Sequence, residues 1–217
     1  MELNKYIDHT LLSPDATEAQ VDTVIKQAID NHFHTVMTNP YWVAKTHQAL
    51  EGTDVVTATV IGFPLGATTT AAKVFETKQA IADGVDEVDM VMNTGEMKAG
   101  HYTQVADDIQ ALVKVGHDAG KVVKVIIETA LLTDDEITKA SQIVAEAEAD
   151  FVKTSTGFST RGASVHDVEL MSAAVAGTTT QVKASGGIHS AEEAEATVNA
   201  GATRLGVSHS MKVIGKE

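Results

Sequence analysis

The sequence predicts an α/β fold, a single-domain (β/α)8 TIM barrel spanning residues 1–217. Three observations predict it. Short, β-branched apolar runs alternate with Ala-, Glu-, Lys- and Gln-rich stretches from end to end. Eight such runs divide the chain into units of about 27 residues, compact but sufficient for a closed eightfold barrel. The residues able to do chemistry fall on several runs rather than at one switch point. An open doubly wound sheet is the alternative, and no G-x-G-x-x-G follows the first run to support it. No linker, low-complexity tract or second domain is visible.

The elements follow in order. The first strand is Tyr6–His9, after which Ser13-Pro14-Asp15 leads into a helix over Thr17–His32. Strands at His34–Met37 and Val55–Ile61 come next, and then a helix over Thr70–Gly84. Glu87–Met92 is the fourth strand, followed by a helix over Tyr102–Ala119. After the fifth strand, Val122–Ile127, Thr133-Asp134-Asp135-Glu136 has the form of a capping box and starts a helix over Asp134–Ala149. Phe151–Thr154 precedes a helix at Val165–Ala176. Gln181–Ala184 precedes one at Ala191–Ala200, whose acidic first turn follows Ser190. Thr203–Gly206 closes the series.

Composition narrows the function. Hydrophobic residues make up 43% and the formal net charge is −14. Nucleic-acid binding normally needs a basic face and is disfavoured. An anionic ligand would have to be held by local donors against the global field. There is no cysteine, which excludes disulfides and thiolate metal sites. No apolar run approaches the ~20 residues of a membrane span, and Met1-Glu2-Leu3-Asn4-Lys5-Tyr6 lacks the features of a signal peptide, so the expected location is cytoplasmic with no membrane partner.

Two lysines carry most of the chemical information. Lys153 and Lys183 each end a short apolar run and are followed at once by small and glycine residues: Lys153-Thr154-Ser155-Thr156-Gly157 and Lys183-Ala184-Ser185-Gly186-Gly187. Burial disfavours an ammonium, and two of them together repel, so each lowers the other's pKa. A free lysine titrates near ~10.4, whereas a working amine nucleophile wants ~7–8, a difference worth about 4 kcal/mol. The glycines behind the lysines free backbone N–H groups to approach an anion such as phosphate. Polar residues expected at the carboxyl ends of strands are Asp8, Asp89, Lys153 and Lys183. By alternation Asp89 shares a face with Glu87, and Val88 and Met90 share the other. An inward Asp89 reads equally as a structural ion pair or as an acid/base group. Gly186-Gly187 reads as a phosphate cradle or simply as a tight turn, and Arg161 as a phosphate contact or a solvated charge. His32 and His34 share a strand face, but two ligands make no metal site and no H-E-x-x-H is present, so packing or solvation is expected for both.

The motifs Val152-Lys153-Thr154-Ser155-Thr156-Gly157-Phe158 and Val182-Lys183-Ala184-Ser185-Gly186-Gly187-Ile188 resemble those of the deoxyribose-phosphate aldolase family. So do Ile7-Asp8-His9-Thr10-Leu11-Leu12, Asn39-Pro40-Tyr41-Trp42-Val43, Ile61-Gly62-Phe63-Pro64-Leu65-Gly66 and Asp86-Glu87-Val88-Asp89-Met90-Val91. The resemblance covers nearly the whole chain. It implies a class I aldolase on a β/α barrel, a lyase that reversibly cleaves 2-deoxy-D-ribose 5-phosphate to D-glyceraldehyde 3-phosphate and acetaldehyde with no metal and no cofactor. It makes Lys153 the Schiff-base lysine, Lys183 its pKa-perturbing neighbour, and Asp89 the acid/base partner. Asp8 and Thr154 fall where the family holds substrate hydroxyls or a catalytic water, and Gly157, Gly186, Gly187, Gly206 and Ser208 fall in its phosphate-binding segments. The implied partners are a phosphorylated deoxy-sugar and small aldehydes, in a homodimer or homotetramer. Met37 stands where many members have cysteine, and the tail from Gly206 to Glu217 has no terminal tyrosine. The competing readings are another class I aldolase or an isomerase on the same barrel, and a non-catalytic phosphosugar-binding barrel.

Overall fold

Strands made of β-branched residues on both faces are buried on both faces when helices cover a parallel sheet. The computed structural model, which describes residues 1–216, has this arrangement. The strands are β1 (Ile7–Leu11), β2 (Thr35–Thr38), β3 (Val56–Ile61), β4 (Glu87–Val91), β5 (Val122–Ile126), β6 (Phe151–Lys153), β7 (Gln181–Ser185) and β8 (Arg204–Val207). All are parallel, each pairs with the next in chain order, and β8 returns to β1 to close the barrel. The predicted strands match these to within two residues at each end.

The outer layer is α1 (Glu18–Asp30), α2 (Val43–Leu50), α3 (Thr70–Ala82), α4 (Thr94–Lys98), α5 (Tyr102–Asp118), α6 (Asp134–Glu146), α7 (Val165–Ala174), α8 (Ala191–Asn199) and α9 (Ser210–Val213). Of these, α2, α4 and α9 are absent from the sequence-based assignment: each is short, and α2 follows a 3-10 turn at Pro40–Trp42 that interrupts its start. The capping box of α6 is formed as expected. Thr133 Oγ1 accepts from Glu136 N at 3.3 Å, and Glu136 Oε2 accepts from Thr133 N at 2.8 Å. Helix α1 turns Val21, Ile25 and Ala28 inward at helical spacing. Such residues form the main apolar core between sheet and helices, together with Val36, Met90, Val125 and Leu205.

Inside the barrel the filling is of two kinds. On the β1–β3 side Leu12, Met37, Ala58 and Val60 form a small apolar cluster, with Phe63 against it. Much of the remainder is charged, with Phe151 and Thr35 against Arg204. Asp8, Glu87, Asp89, Lys124, Lys153, Lys183 and Arg204 are all at most 9% exposed. A barrel interior built of stacked side-chain layers thus holds ionised groups in place of the usual aliphatics. No helix among the described residues is long and apolar enough to cross a membrane.

Candidate active site

Register brings the two lysines together. Lys153 and Lys183 are Cα partners across β6 and β7, so their side chains leave neighbouring strands on the same side. Asp89 is likewise the partner of Lys124 across β4 and β5. The side chains converge on Asp89: its Oδ2 accepts from Lys153 Nζ and from Lys183 Nζ, each at 2.8 Å, and its Oδ1 accepts from Lys124 Nζ at 2.7 Å. Lys183 also donates to Asp8 Oδ2, and Asp8 Oδ1 accepts from Arg204 at 2.9 Å. Glu87 completes the floor, 2.6 Å from Lys124 and 3.0 Å from Arg204. Asp89 thereby acts as both a structural ion-pair partner and a group within reach of the Lys153 amine.

Electrostatics separate these groups. Burial pushes the Lys153 ammonium down, the Lys183 and Lys124 charges push the same way, and Asp89 holds it up; the balance leaves its pKa at about 8. Burial acts against the charge on Asp89 too, but Lys124, Lys153 and Lys183 outweigh it and keep the carboxyl well below the usual range. The same competition lowers Asp8, through Lys183, Lys124 and Arg204, and brings Glu87 to about 2. Lys124 moves the opposite way from Lys153. Burial disfavours its charge, yet Asp89, Glu87 and Asp8 raise it above the ordinary lysine value. One lysine of the cluster is therefore neutral in an appreciable fraction near neutral pH, while its neighbour on β5 stays charged.

Above Lys153 lies a cavity of about 220 Å³. Gly157, Gly186, Gly187, Gly206 and Ser208 line it, as do His189 and His209, whose rings meet edge-on at 5.4 Å. The loop after β6 is pressed onto the loop after β7. Ala163 N donates to Ser185 O and Gly186 O, and a Cβ on Gly162 would lie 2.1 Å from the Gly186 carbonyl carbon. Gly186 itself has φ +76°, a conformation other residues adopt at a cost. The pair Gly186-Gly187 is thus a tight turn, and one that borders the same cavity as Lys153.

The chemistry this permits is amine addition to a carbonyl, with a carboxylate and a second ammonium beside the nitrogen and backbone donors for an anion at the far end. Comparison with known proteins bears on which chemistry is used. A family model described as DeoC/LacD family aldolase matches residues 3–209. The chain belongs to the DeoC/LacD aldolase family. A deoxyribose-phosphate aldolase of Lactiplantibacillus plantarum is 68% identical to this aldolase, with each chain wholly covered. One from Streptococcus mutans is 54% identical, over all of this chain and 98% of the other. The tetrameric deoxyribose phosphate aldolase of Aeropyrum pernix superposes with a TM-score of 0.91 at 34% identity, over 98% of this chain and 89% of that one.

Several expectations for this aldolase need adjustment. Asp8, Asp89 and Lys183 lie within their strands rather than at the carboxyl ends; only Lys153 is a last residue. Their charges occupy interior layers of the barrel, where long lysine side chains can reach them. Asp8 and Thr154 do not border the cavity. Asp8 is committed to Lys183 and Arg204, and the Thr154 hydroxyl bridges to β7, donating to Ser185 O and accepting from Ser185 N. Arg161 is not a free solvated charge: its guanidinium binds Asp167 and the carbonyls of Thr129 and Gly162. His32 and His34 share no strand face. His32 sits in the turn after α1 at φ +50°, and His34 precedes β2, its Nε2 3.5 Å from Glu87. Glu217, the end of the tail, lies outside the described residues. Sequence reading missed Lys124, Arg204 and Glu128. Alternation from Asp89 would have flagged Lys124, a lone charge in the middle of Val122-Val123-Lys124-Val125-Ile126.

Proposed function

We propose that this aldolase reversibly cleaves 2-deoxy-D-ribose 5-phosphate to D-glyceraldehyde 3-phosphate and acetaldehyde through a Schiff base on Lys153. The observation that carries the reading is a buried lysine held at about 8, 2.8 Å from Asp89, beneath a glycine-lined cavity. Neutral Lys153 attacks the aldehyde carbon to form a carbinolamine, and loss of water gives the iminium. The iminium draws the electrons of the breaking C–C bond as the C3 hydroxyl gives up its proton. D-Glyceraldehyde 3-phosphate leaves, and an enamine remains. Protonation of its terminal carbon restores the iminium, and hydrolysis returns the amine and acetaldehyde. Lys183 is an ammonium donor and Asp89 an acceptor that connects it to Lys153, so protons can pass between them with a water. The iminium supplies the electrophile, so no step calls for a metal. Gly157, Gly186, Gly187, Gly206 and Ser208 form the phosphate end, with the whole of 1–217 as one aldolase unit in the cytoplasm, assembled as a homodimer or homotetramer.

Borohydride is the test. Reduction in the presence of acetaldehyde should inactivate the protein and leave an ethyl group on Lys153. Peptide mapping that puts the adduct on Lys183 would reverse the two roles.

A further inference from the structure

Glu128 carries two anomalies that the cleavage chemistry leaves unused. It follows β5 directly, and its backbone is left-handed at φ +55°, ψ +66°. Strain of this kind in a non-glycine residue persists where surrounding structure over-determines it. Around Glu128 the β5–β6 ladder is out of step. Ile127 N donates to Lys153 O and Thr129 N donates to Thr154 O, so the β5 side advances two residues while the β6 side advances one. The extra residue is Glu128, and a bulge re-aims the side chain it carries. The carboxylate is 4% exposed and pairs with no lysine or arginine among the described residues. Its Oε1 has no hydrogen-bond partner among the described residues. A buried carboxylate in that condition costs stability unless the oxygen it does use is needed.

Its Oε2 accepts from both the backbone N–H, at 3.3 Å, and the hydroxyl of Thr156. The Thr156 hydroxyl oxygen in turn accepts from Phe158 N at 3.1 Å. Gly157 lies between the two amides fixed in this way. Thr156 and Gly157 border the cavity above Lys153, while Glu128, Thr156 and Phe158 border a second cavity of about 140 Å³ behind the loop. We infer that Glu128 is a positioning residue for anion binding: through the Thr156 hydroxyl it sets the turn that presents Gly157 to the phosphate of the substrate. It touches neither phosphate nor reacting carbon. The inference rests on the proposed phosphosugar reading, and it assigns the strain at φ +55° to the site rather than to packing.

The experiment compares Glu128→Ala, Glu128→Gln, Thr156→Val and the Glu128→Ala/Thr156→Val double variant with the wild type. KM and kcat are measured on deoxyribose 5-phosphate, and the Kd of inorganic phosphate is read from the Gly157 amide resonance. Glu128→Ala should raise KM and the phosphate Kd by about tenfold, as expected for a lost charge-assisted hydrogen bond, with a smaller change in kcat. Glutamine keeps an acceptor oxygen and should recover most of the loss. The double variant should be no worse than the worse single one, because one residue acts through the other. Additive losses, or a fall in kcat or thermal stability with KM and phosphate Kd unchanged, would overturn the inference. If the wild type fails to cleave the sugar, the aldolase reading falls, and the phosphate Kd series still decides the role of Glu128.

Discussion

Replacing Lys183 by leucine separates two contributions that the geometry assigns to one side chain. Lys153 and Lys183 each sit 2.8 Å from the same oxygen of Asp89, so their nitrogens lie within twice that distance of each other. At ~5 Å and an effective dielectric of ~20, two like charges repel by about 3 kcal/mol, on the order of a hundredfold in a protonation equilibrium. Loss of Lys183 removes that repulsion and leaves Asp8 and Asp89 with one cation fewer, which favours the Lys153 ammonium further. With a pKa of about 8, roughly a quarter of Lys153 is neutral at pH ~7.5, against about one part in a thousand for an ordinary lysine. The variant should therefore lose roughly a hundredfold in neutral amine at that pH. The sign is fixed: the acidic limb of the kcat/KM profile moves to higher pH. Near pH ~10 the ionisation deficit shrinks to about twofold, and what remains measures the lost proton donor. The assay is kcat/KM for deoxyribose 5-phosphate from pH 6 to 10.5, with the rate of cyanoborohydride labelling by acetaldehyde as a turnover-independent check. An acidic limb left at the wild-type pH would refute the coupling, whatever the loss in rate.

Three other perturbations follow from the same geometry. Asp8, Glu87 and Asp89 have folded-state pKa values below those of the unfolded chain, so the stability they contribute is present above pH ~4 and lost as pH falls through the folded values; the urea midpoint should drop steeply between pH ~4 and ~2, and a flat midpoint there would contradict the ion-pair assignment. Arg161→Gln should lower thermal stability by about 1–3 kcal/mol through Asp167 while leaving phosphate affinity alone, as calorimetry and inorganic-phosphate titration would show; a weakened phosphate Kd would restore Arg161 to the anion site. Met37→Cys should sensitise the protein to concentrated acetaldehyde, since condensation of the aldehyde yields a soft electrophile and this chain has no thiol to meet it; equal residual activity in both proteins after matched exposure would place the damage elsewhere.

The strands and the proposed nucleophile show in the sequence for the same reason. A barrel strand buried on both faces is a short apolar run, and Lys153 ends such a run, so its oddity shows in the local string. Arg204 was not singled out because what makes it internal, closure of β8 onto β1, is not local; Lys124 left a local trace as a lone charge in an apolar run, but its partner Asp89 follows only from the register of β4 with β5. Thr154 is a different case: the resemblance implied a place near substrate hydroxyls or a catalytic water, and the fold shows its hydroxyl bridging the β6–β7 seam. Glu128 was invisible because its position depends on a bulge, and Ile126-Ile127-Glu128-Thr129 carries no glycine or proline to announce one. The partner of Arg161 could be found only from the fold, which places Asp167, six residues on, against it.

The interior cluster holds four cations, Lys124, Lys153, Lys183 and Arg204, against three carboxylates, Asp8, Glu87 and Asp89. Four cations against three carboxylates leave one positive charge unbalanced, and Lys153, lowered to about 8, is the member that gives up its proton most readily. The free amine is the form of Lys153 that brings the barrel to parity. In the proposed Schiff-base mechanism a protonated iminium at the same nitrogen is a cation once more, so covalent capture of substrate would restore the surplus. Two neutral species relieve it: the enamine left by C–C cleavage and the amine released by hydrolysis. The imbalance that readies the lysine for attack therefore also presses the bound intermediate onward, in whichever direction the reaction is running.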